Sequence, residues 1–161
     1  MKRNQEHLPV LGYGPYFIIS MVVVTGIFYF SIKSGVFESL YIDSLLLSLL
    51  GMVLILLGLI MYTLSLVKSR IGTKIKENKL VTNGIYGYVR NPIYSGFLYV
   101  FSGFLLLQKN LIALVPPFLF WIALTLFIKK TEEKWLIRTF GKEYINYMKK
   151  VNRCILWFPK K

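Results

Sequence analysis

Two clusters of residues carry the groups that could do chemistry. The first is Leu80-Val81-Thr82-Asn83-Gly84-Ile85-Tyr86-Gly87-Tyr88-Val89-Arg90-Asn91-Pro92-Ile93-Tyr94-Ser95-Gly96. Asn83-Gly84 is a turn signal. Pro92 stands where a helix starts, with Asn91 as its cap. The N-terminus of such a helix offers free backbone N–H groups and a positive dipole end, which suit a carboxylate or phosphate. Arg90 adds a fork of donors beside it. Tyr86, Tyr88 and Tyr94 supply flat faces that can stack on a base or sit against a cation. The same residue types also fit plain anchoring at a membrane–water boundary, where Tyr and Arg gather.

The second cluster is Thr131-Glu132-Glu133-Lys134-Trp135-Leu136, followed by Phe140-Gly141-Lys142-Glu143-Tyr144-Ile145-Asn146-Tyr147. Glu132 and Glu133 are two of only seven acids in the chain. A carboxylate there can accept from hydroxyls or from an ammonium group. The alternative is a local helix salt-bridge pattern, with either Glu reaching Lys129, Lys130 or Arg138. Tyr144, Tyr147, Met148 and Val151 recur at helical spacing. They predict an amphipathic C-terminal helix on the bilayer, with Lys149, Lys150 and Arg153 facing the headgroups.

Other chemistries are poorly supplied. One Cys (Cys154) and one His (His7) make up the whole stock of those types. A Cys/His zinc site, an intrachain disulfide and His-assisted nucleophilic catalysis are therefore not expected, and no metal site is predicted. No Gly-rich loop between a strand and a helix marks a dinucleotide-binding fold.

Such clusters need elements to hold them, and the composition says of what kind. The 161 residues are 55% hydrophobic and 17% charged, with a mean hydropathy of +0.56. Soluble domains run at roughly 45–50% apolar and about 25% charged. The apolar surplus must face something other than water, and lipid is the simple answer. Four apolar stretches stand out, at 16–32, 42–67, 93–107 and 111–128. At the α-helical rise they span about 26, 39, 23 and 27 Å, against a hydrocarbon core of about 30 Å. The break at Gln108-Lys109-Asn110 makes the last two a helical hairpin, and Pro116-Pro117 should kink the fourth helix. No small-residue cleavage pattern follows the first stretch, so it reads as a retained span rather than a signal peptide.

The net charge is +13. Lys and Arg number two before residue 16, one at 33–41, six at 68–92, one at the hairpin turn and ten at 129–161. Rich and poor segments alternate. Four spans with both termini inside put every rich segment on the cytoplasmic side. This distribution accounts for the positive charge without nucleic acid. The expectation is an all-α integral membrane protein of four transmembrane helices in the cell membrane. It forms a single domain over residues 1–161, with cytoplasmic segments that carry the site.

The two clusters, in this order and flanking a helical hairpin, resemble the isoprenylcysteine carboxyl methyltransferase family and its relatives among the phospholipid methyltransferases. The matching pattern is Leu-Val-Thr-Asn-Gly-Ile-Tyr, then Arg-Asn-Pro-Ile-Tyr-Ser-Gly, then Glu-Glu, then Phe-Gly-Lys-Glu-Tyr, within about residues 78–153. The resemblance implies methyl transfer from S-adenosyl-L-methionine to a lipophilic small molecule or lipid-modified acceptor. It implies a cofactor pocket lined by Asn78, Lys79, Leu80, Val81, Tyr86, Asn91, Pro92, Ile93 and Tyr94, completed by Glu132. Arg90 suits the carboxylate of such a cofactor and Glu132 its ammonium group or diol. Asn91 stands where many members carry His. Ile128 stands where the eukaryotic carboxyl methyltransferases carry a basic residue that helps hold the acceptor, with Lys129 beside it. Lys129 and Glu133 are the candidate acceptor-binding residues. Two other classes stay open on the residues alone. One is a small proton-coupled transporter, although no acid lies mid-span. The other is a non-catalytic membrane protein that binds anionic lipid through its basic face.

Overall fold

A computed structural model describes residues 14–68 and 79–160. The candidate residue Asn78, His7 and the N-terminal tail lie outside the described residues. Among the described residues six α-helices follow in order: α1 (Gly14–Lys33), α2 (Leu45–Thr63), α3 (Pro92–Leu106), α4 (Val115–Lys130), α5 (Glu132–Phe140) and α6 (Lys142–Lys150). A π-helical turn, Leu64–Lys68, extends α2. Short 3₁₀ turns occupy Glu38–Leu40, Gly84–Gly87 and Leu111–Leu114. Among the described residues there is no sheet, only isolated bridges between Tyr41 and Asn110 and between Val89 and Asn152.

Each apolar stretch read from the sequence is helical, but they are not equal. Among the described residues, three helical stretches are long and apolar enough to cross a membrane: Gly14–Lys33, Leu45–Val67 and Leu111–Phe140. The 15-residue α3 reaches only about 22 Å. It compensates by position. It packs against α1, α2 and α4, and Ser95, Gly96, Leu98, Ser102, Gly103, Leu105 and Leu106 are buried along it. The longer helices turn apolar side chains outward: Ile19, Val23 and Phe30 on α1, Leu46, Val53 and Leu56 on α2, Phe118, Leu119 and Leu126 on α4. An outer surface of this kind is suited to lipid and not to water.

Glycines set the closest helix contact. A Cβ on Gly58 of α2 would stand 2.5 Å from the carbonyl oxygen of Gly96 on α3. One on Gly51 would stand 2.8 Å from the carbonyl oxygen of Gly103. Seven residues separate the glycines on each helix, two turns along one face. The two helices run antiparallel with backbone against backbone, the close approach that small residues allow inside a bilayer. The nearest partner of α3 is therefore α2 rather than the helix that follows it.

Pro116 and Pro117 do not kink a helix. They occupy the first turn of α4, after the 3₁₀ turn 111–114. Their missing N–H groups fall where an α-helix has no internal acceptor for them, so they start the helix instead of bending it.

The far end of the bundle is tied by the two short connections. The Ile42 N–H donates to the Lys109 carbonyl at 2.8 Å. Asn110 Nδ2 donates to the Phe37 carbonyl at 2.8 Å, and Lys109 pairs with Asp43 at 2.5 Å. The main core joins Met21 of α1, Leu98 and Leu105 of α3, Phe120, Leu124 and Ile128 of α4, and Cys154 from the C-terminal segment. A second core joins Tyr144, Tyr147 and Val151 to Leu80, Leu136, Ile137 and Phe140. The apolar face of α6 is thus spent on the protein itself.

Candidate functional site

The end of the bundle opposite Asp43 and Lys109 gathers both clusters. The chain leaves α2 through the π turn and returns to α3 through residues 79–91. Gly84 takes a left-handed backbone (φ +62°), as the turn signal required. Tyr86 sits buried on the 3₁₀ turn behind it. Its carbonyl accepts the Tyr147 hydroxyl at 2.5 Å, which ties this loop to α6.

Asn91 precedes Pro92 at the start of α3, but its side chain does not cap the helix. Asn91 Nδ2 donates to the Arg153 carbonyl at 3.0 Å, and its backbone N–H donates to the same oxygen at 3.2 Å. The Asn91 carbonyl accepts from the Ser95 N–H and hydroxyl, both at 3.0 Å. The side chain turns to a carbonyl brought in by the C-terminal segment, which the local sequence does not reveal.

One turn into α3, the Tyr94 hydroxyl donates to Oε1 of Glu132. Glu132 opens α5, just beyond Thr131, whose backbone (φ −110°, ψ −81°) breaks α4 from α5. The Tyr94 ring meets the edge of Phe127 at 6.4 Å, and Phe127 stacks on Phe17 of α1 at 5.1 Å. Gly14, at the start of α1, lies so close that a Cβ there would meet the Tyr94 ring at 3.0 Å. Tyr86 belongs to the same locus. Burial pushes its phenol up from its ordinary range, the Glu132 carboxylate pushes it further, and hydrogen bonding with Ser65 of the π turn opposes them. Tyr86, Tyr94 and Glu132 thus converge from three elements, with Ser65 from a fourth.

Glu133 faces elsewhere. Only 2% exposed, it accepts from Arg153 Nε at 2.7 Å and Arg153 Nη2 at 2.9 Å. Arg90 Nη1 lies 2.8 Å from the same carboxylate. The Arg90 guanidinium also stands 6.0 Å from the centre of the Tyr144 ring. Burial pushes the Tyr144 phenol up to about 12 and the Cys154 thiol up to about 12. Both glutamates reach across the fold rather than along their own helix, so the local salt-bridge pattern with Lys129, Lys130 or Arg138 is not the arrangement adopted. Arg153, expected among the headgroups, is drawn inward by Glu133.

The remaining predicted residues divide by depth. Val81, Arg90, Asn91 and Pro92 are buried, Leu80 and Ile93 partly so, and Lys79 and Lys129 exposed. Lys129 stands on the last turn of α4. Gly14 and Ser65 carried no sequence signal, and Arg153 carried none for an inward-facing role. Arg153 is one of ten basic residues after position 128, and nothing local distinguishes it.

Residues 39–143 match the model of the family described as phospholipid methyltransferase. Curated proteins are similar over a shorter span. The protein-S-isoprenylcysteine O-methyltransferase of Schizosaccharomyces pombe is 40% identical over 87 residues, 52% of this chain and 36% of that protein. The protein of the same name from Saccharomyces cerevisiae is 38% identical over 81 residues, 48% of this chain and 33% of the other. That from Dictyostelium discoideum is 35% identical over 80 residues, again 48% and 33%. The matched segment spans about a third of the length of these relatives.

Proposed function

This chain belongs to the phospholipid methyltransferase family, and from that premise we propose that it is an integral-membrane methyltransferase using S-adenosyl-L-methionine. Its acceptor is lipophilic, and a carboxylate or hydroxyl oxygen is the favoured methylation site. Four helices cross the cell membrane, with the short α3 sheltered by the others, α3 and α4 forming the hairpin, and both termini on the cytoplasmic side. The single observation that carries this reading is the hydrogen bond from Tyr94 to Glu132, which unites the two motif-bearing segments in one locus.

The residues suit the cofactor by their chemistry. It presents a carboxylate, an ammonium group, a ribose diol, an adenine ring and a sulfonium. Glu132 suits the ammonium group or the diol. The faces of Tyr86 and Tyr94 suit the adenine or the sulfonium. Arg90 is 8% exposed, and its Nε has no hydrogen-bond acceptor among the described residues. A buried guanidinium with an unspent N–H suits the cofactor carboxylate, because an unmet buried donor is costly. Asn78 to Val81, with Asn91, Pro92 and Ile93, complete the proposed lining.

The cofactor, when bound, supplies an activated methyl group. The protein supplies position and dryness. Tyr94 fixes the Glu132 carboxylate by donating to it. Phe127, Phe17 and Gly14 exclude water on the membrane side. Holding the acceptor oxygen in line and dry accounts for most of the rate in this reading. A carboxylate acceptor needs no general base. Lys129, an exposed cation on the last turn of α4, is the proposed attractor of such an acceptor as it arrives from the bilayer. Glu133 is the other acceptor candidate that the sequence offers. Its oxygens are engaged by Arg153 and Arg90, so its role becomes the support of Arg90. The relatives bear the name protein-S-isoprenylcysteine O-methyltransferase, which makes an isoprenylcysteine-type carboxylate the first acceptor to try.

The test is binding of S-adenosylhomocysteine to the detergent-purified chain by calorimetry. The wild type should bind with one site. Glu132→Ala removes a hydrogen bond to a charged group, about 1.5–3 kcal/mol, and should weaken binding by about 10-fold or more. Tyr94→Ala should act in the same direction. Absence of binding at millimolar ligand defeats the proposal.

A further inference from the structure

The starts of α3 and α5 are joined twice. Tyr94 and Glu132 join them directly. The second joint runs through the C-terminal segment. Asn91, three residues before Tyr94, holds the Arg153 carbonyl with two donors. Glu133, next to Glu132, holds the Arg153 guanidinium with both oxygens. One residue from the end of the chain thus grips both elements that compose the proposed cofactor site.

The rest of the segment is fastened around it. The Arg90 N–H donates to the Asn152 carbonyl at 2.8 Å, and the Trp157 N–H donates to the Tyr88 carbonyl at 3.3 Å. The Leu156 N–H donates to the Tyr99 hydroxyl on α3 at 3.2 Å. Cys154 is 2% exposed in the core shared by α1, α3 and α4. This grip is electrostatic where it is deepest. Two guanidiniums meet one carboxylate that is 2% exposed, and breaking a buried pair of this kind is strongly destabilising.

We propose that residues 151–157 are a latch and that Arg153 is its positioning residue, fixing Asn91–Tyr94 against Glu132 and so setting the affinity for the cofactor. The affinity half of the proposal rests on the methyltransferase reading; the latch half stands on the contacts alone.

The chain contains its own reporter, since Cys154 is its one cysteine and sits inside the latch. The full chain in lipid nanodiscs is treated with a maleimide, and S-adenosylhomocysteine binding is measured on the same preparations. Local opening exposes a thiol in proportion to the open population. Arg153→Ala should raise the labelling rate by about tenfold, and should raise the Kd by about tenfold at unchanged stoichiometry. Arg153 itself favours the Cys154 thiolate. Its removal alone would slow labelling, so faster labelling reports opening. Arg153→Lys, which keeps the charge and loses the bidentate fork, should fall between wild type and Arg153→Ala. If Arg153→Ala does not fold, Arg153→Lys decides in its place, read by labelling rate and Kd together.

Unchanged labelling in a folded Arg153→Ala chain overturns the latch. Faster labelling with unchanged Kd, or lost stoichiometry at unchanged Kd, overturns the positioning role, because a merely structural defect lowers the active fraction. A wild type that binds no S-adenosylhomocysteine defeats the methyltransferase reading and the positioning role with it. The labelling arm still decides the latch in that case.

Discussion

Glu132 and Glu133 are neighbours with separate occupations, and the geometry of one helix explains it. Successive residues on an α-helix point about 100° apart. Glu132 therefore meets Tyr94 while Glu133 meets Arg153 and Arg90. The first carboxylate is partly exposed and shares a locus with two tyrosines, whereas the second is sealed between arginines. Burial at this end also has a pH consequence. Tyr144 and Cys154 rise to about 12 from ordinary values of 10.0 and 9.0. Both are neutral when protonated, so the folded state holds these protons more tightly than the unfolded chain. The stability they confer is whole below pH 9 and drains away as pH climbs toward 12. Thermal melts followed by circular dichroism should show the midpoint falling between pH 9 and 11.5. The slope should be shallower in Tyr144→Phe and Cys154→Ala.

At the scale of elements, the contact between α2 and α3 decides the architecture. Apolar side chains have no preference for one another over lipid tails, so helices associate by close packing. Gly51, Gly58, Gly96 and Gly103 permit that packing. Gly58→Val puts side-chain atoms where the Gly96 carbonyl lies, and overpacking of this kind costs about 1–3 kcal/mol or more. The melting midpoint in detergent should drop clearly. Gly26→Ala on α1, where a Cβ meets nothing within 4 Å, should leave the midpoint unchanged. A fall in Gly26→Ala equal to that in Gly58→Val would remove the close approach as the cause. The prolines of α4 make the same point about position. Pro116 and Pro117 would bend a helix from its middle, and in its first turn they begin it.

For the whole molecule, the alternation of basic-rich and basic-poor segments predicts orientation. Lys109 marks the poor end and Lys160 the rich end. In a Cys154→Ala background, Lys109→Cys should react with an impermeant maleimide added to intact cells. Lys160→Cys should react only after permeabilisation. The reverse pattern would invert the proposed topology and move the site to the outer face.

The amino-acid sequence by itself determined the lipid-facing composition, the four apolar helices and the two clusters, because helix-forming apolar runs and turn residues act locally. It pointed to Tyr86, Tyr94 and Glu132 through a family pattern. Tertiary structure alone decided that Tyr94 meets Glu132, that Glu133 belongs to Arg153 and Arg90, and that Asn91 turns to a carbonyl from the chain's end. Those contacts join residues 20 to 62 positions apart. Their partners are one carboxylate, one guanidinium or one backbone carbonyl among several of the same type, and only the folded chain brings a particular pair within hydrogen-bonding distance.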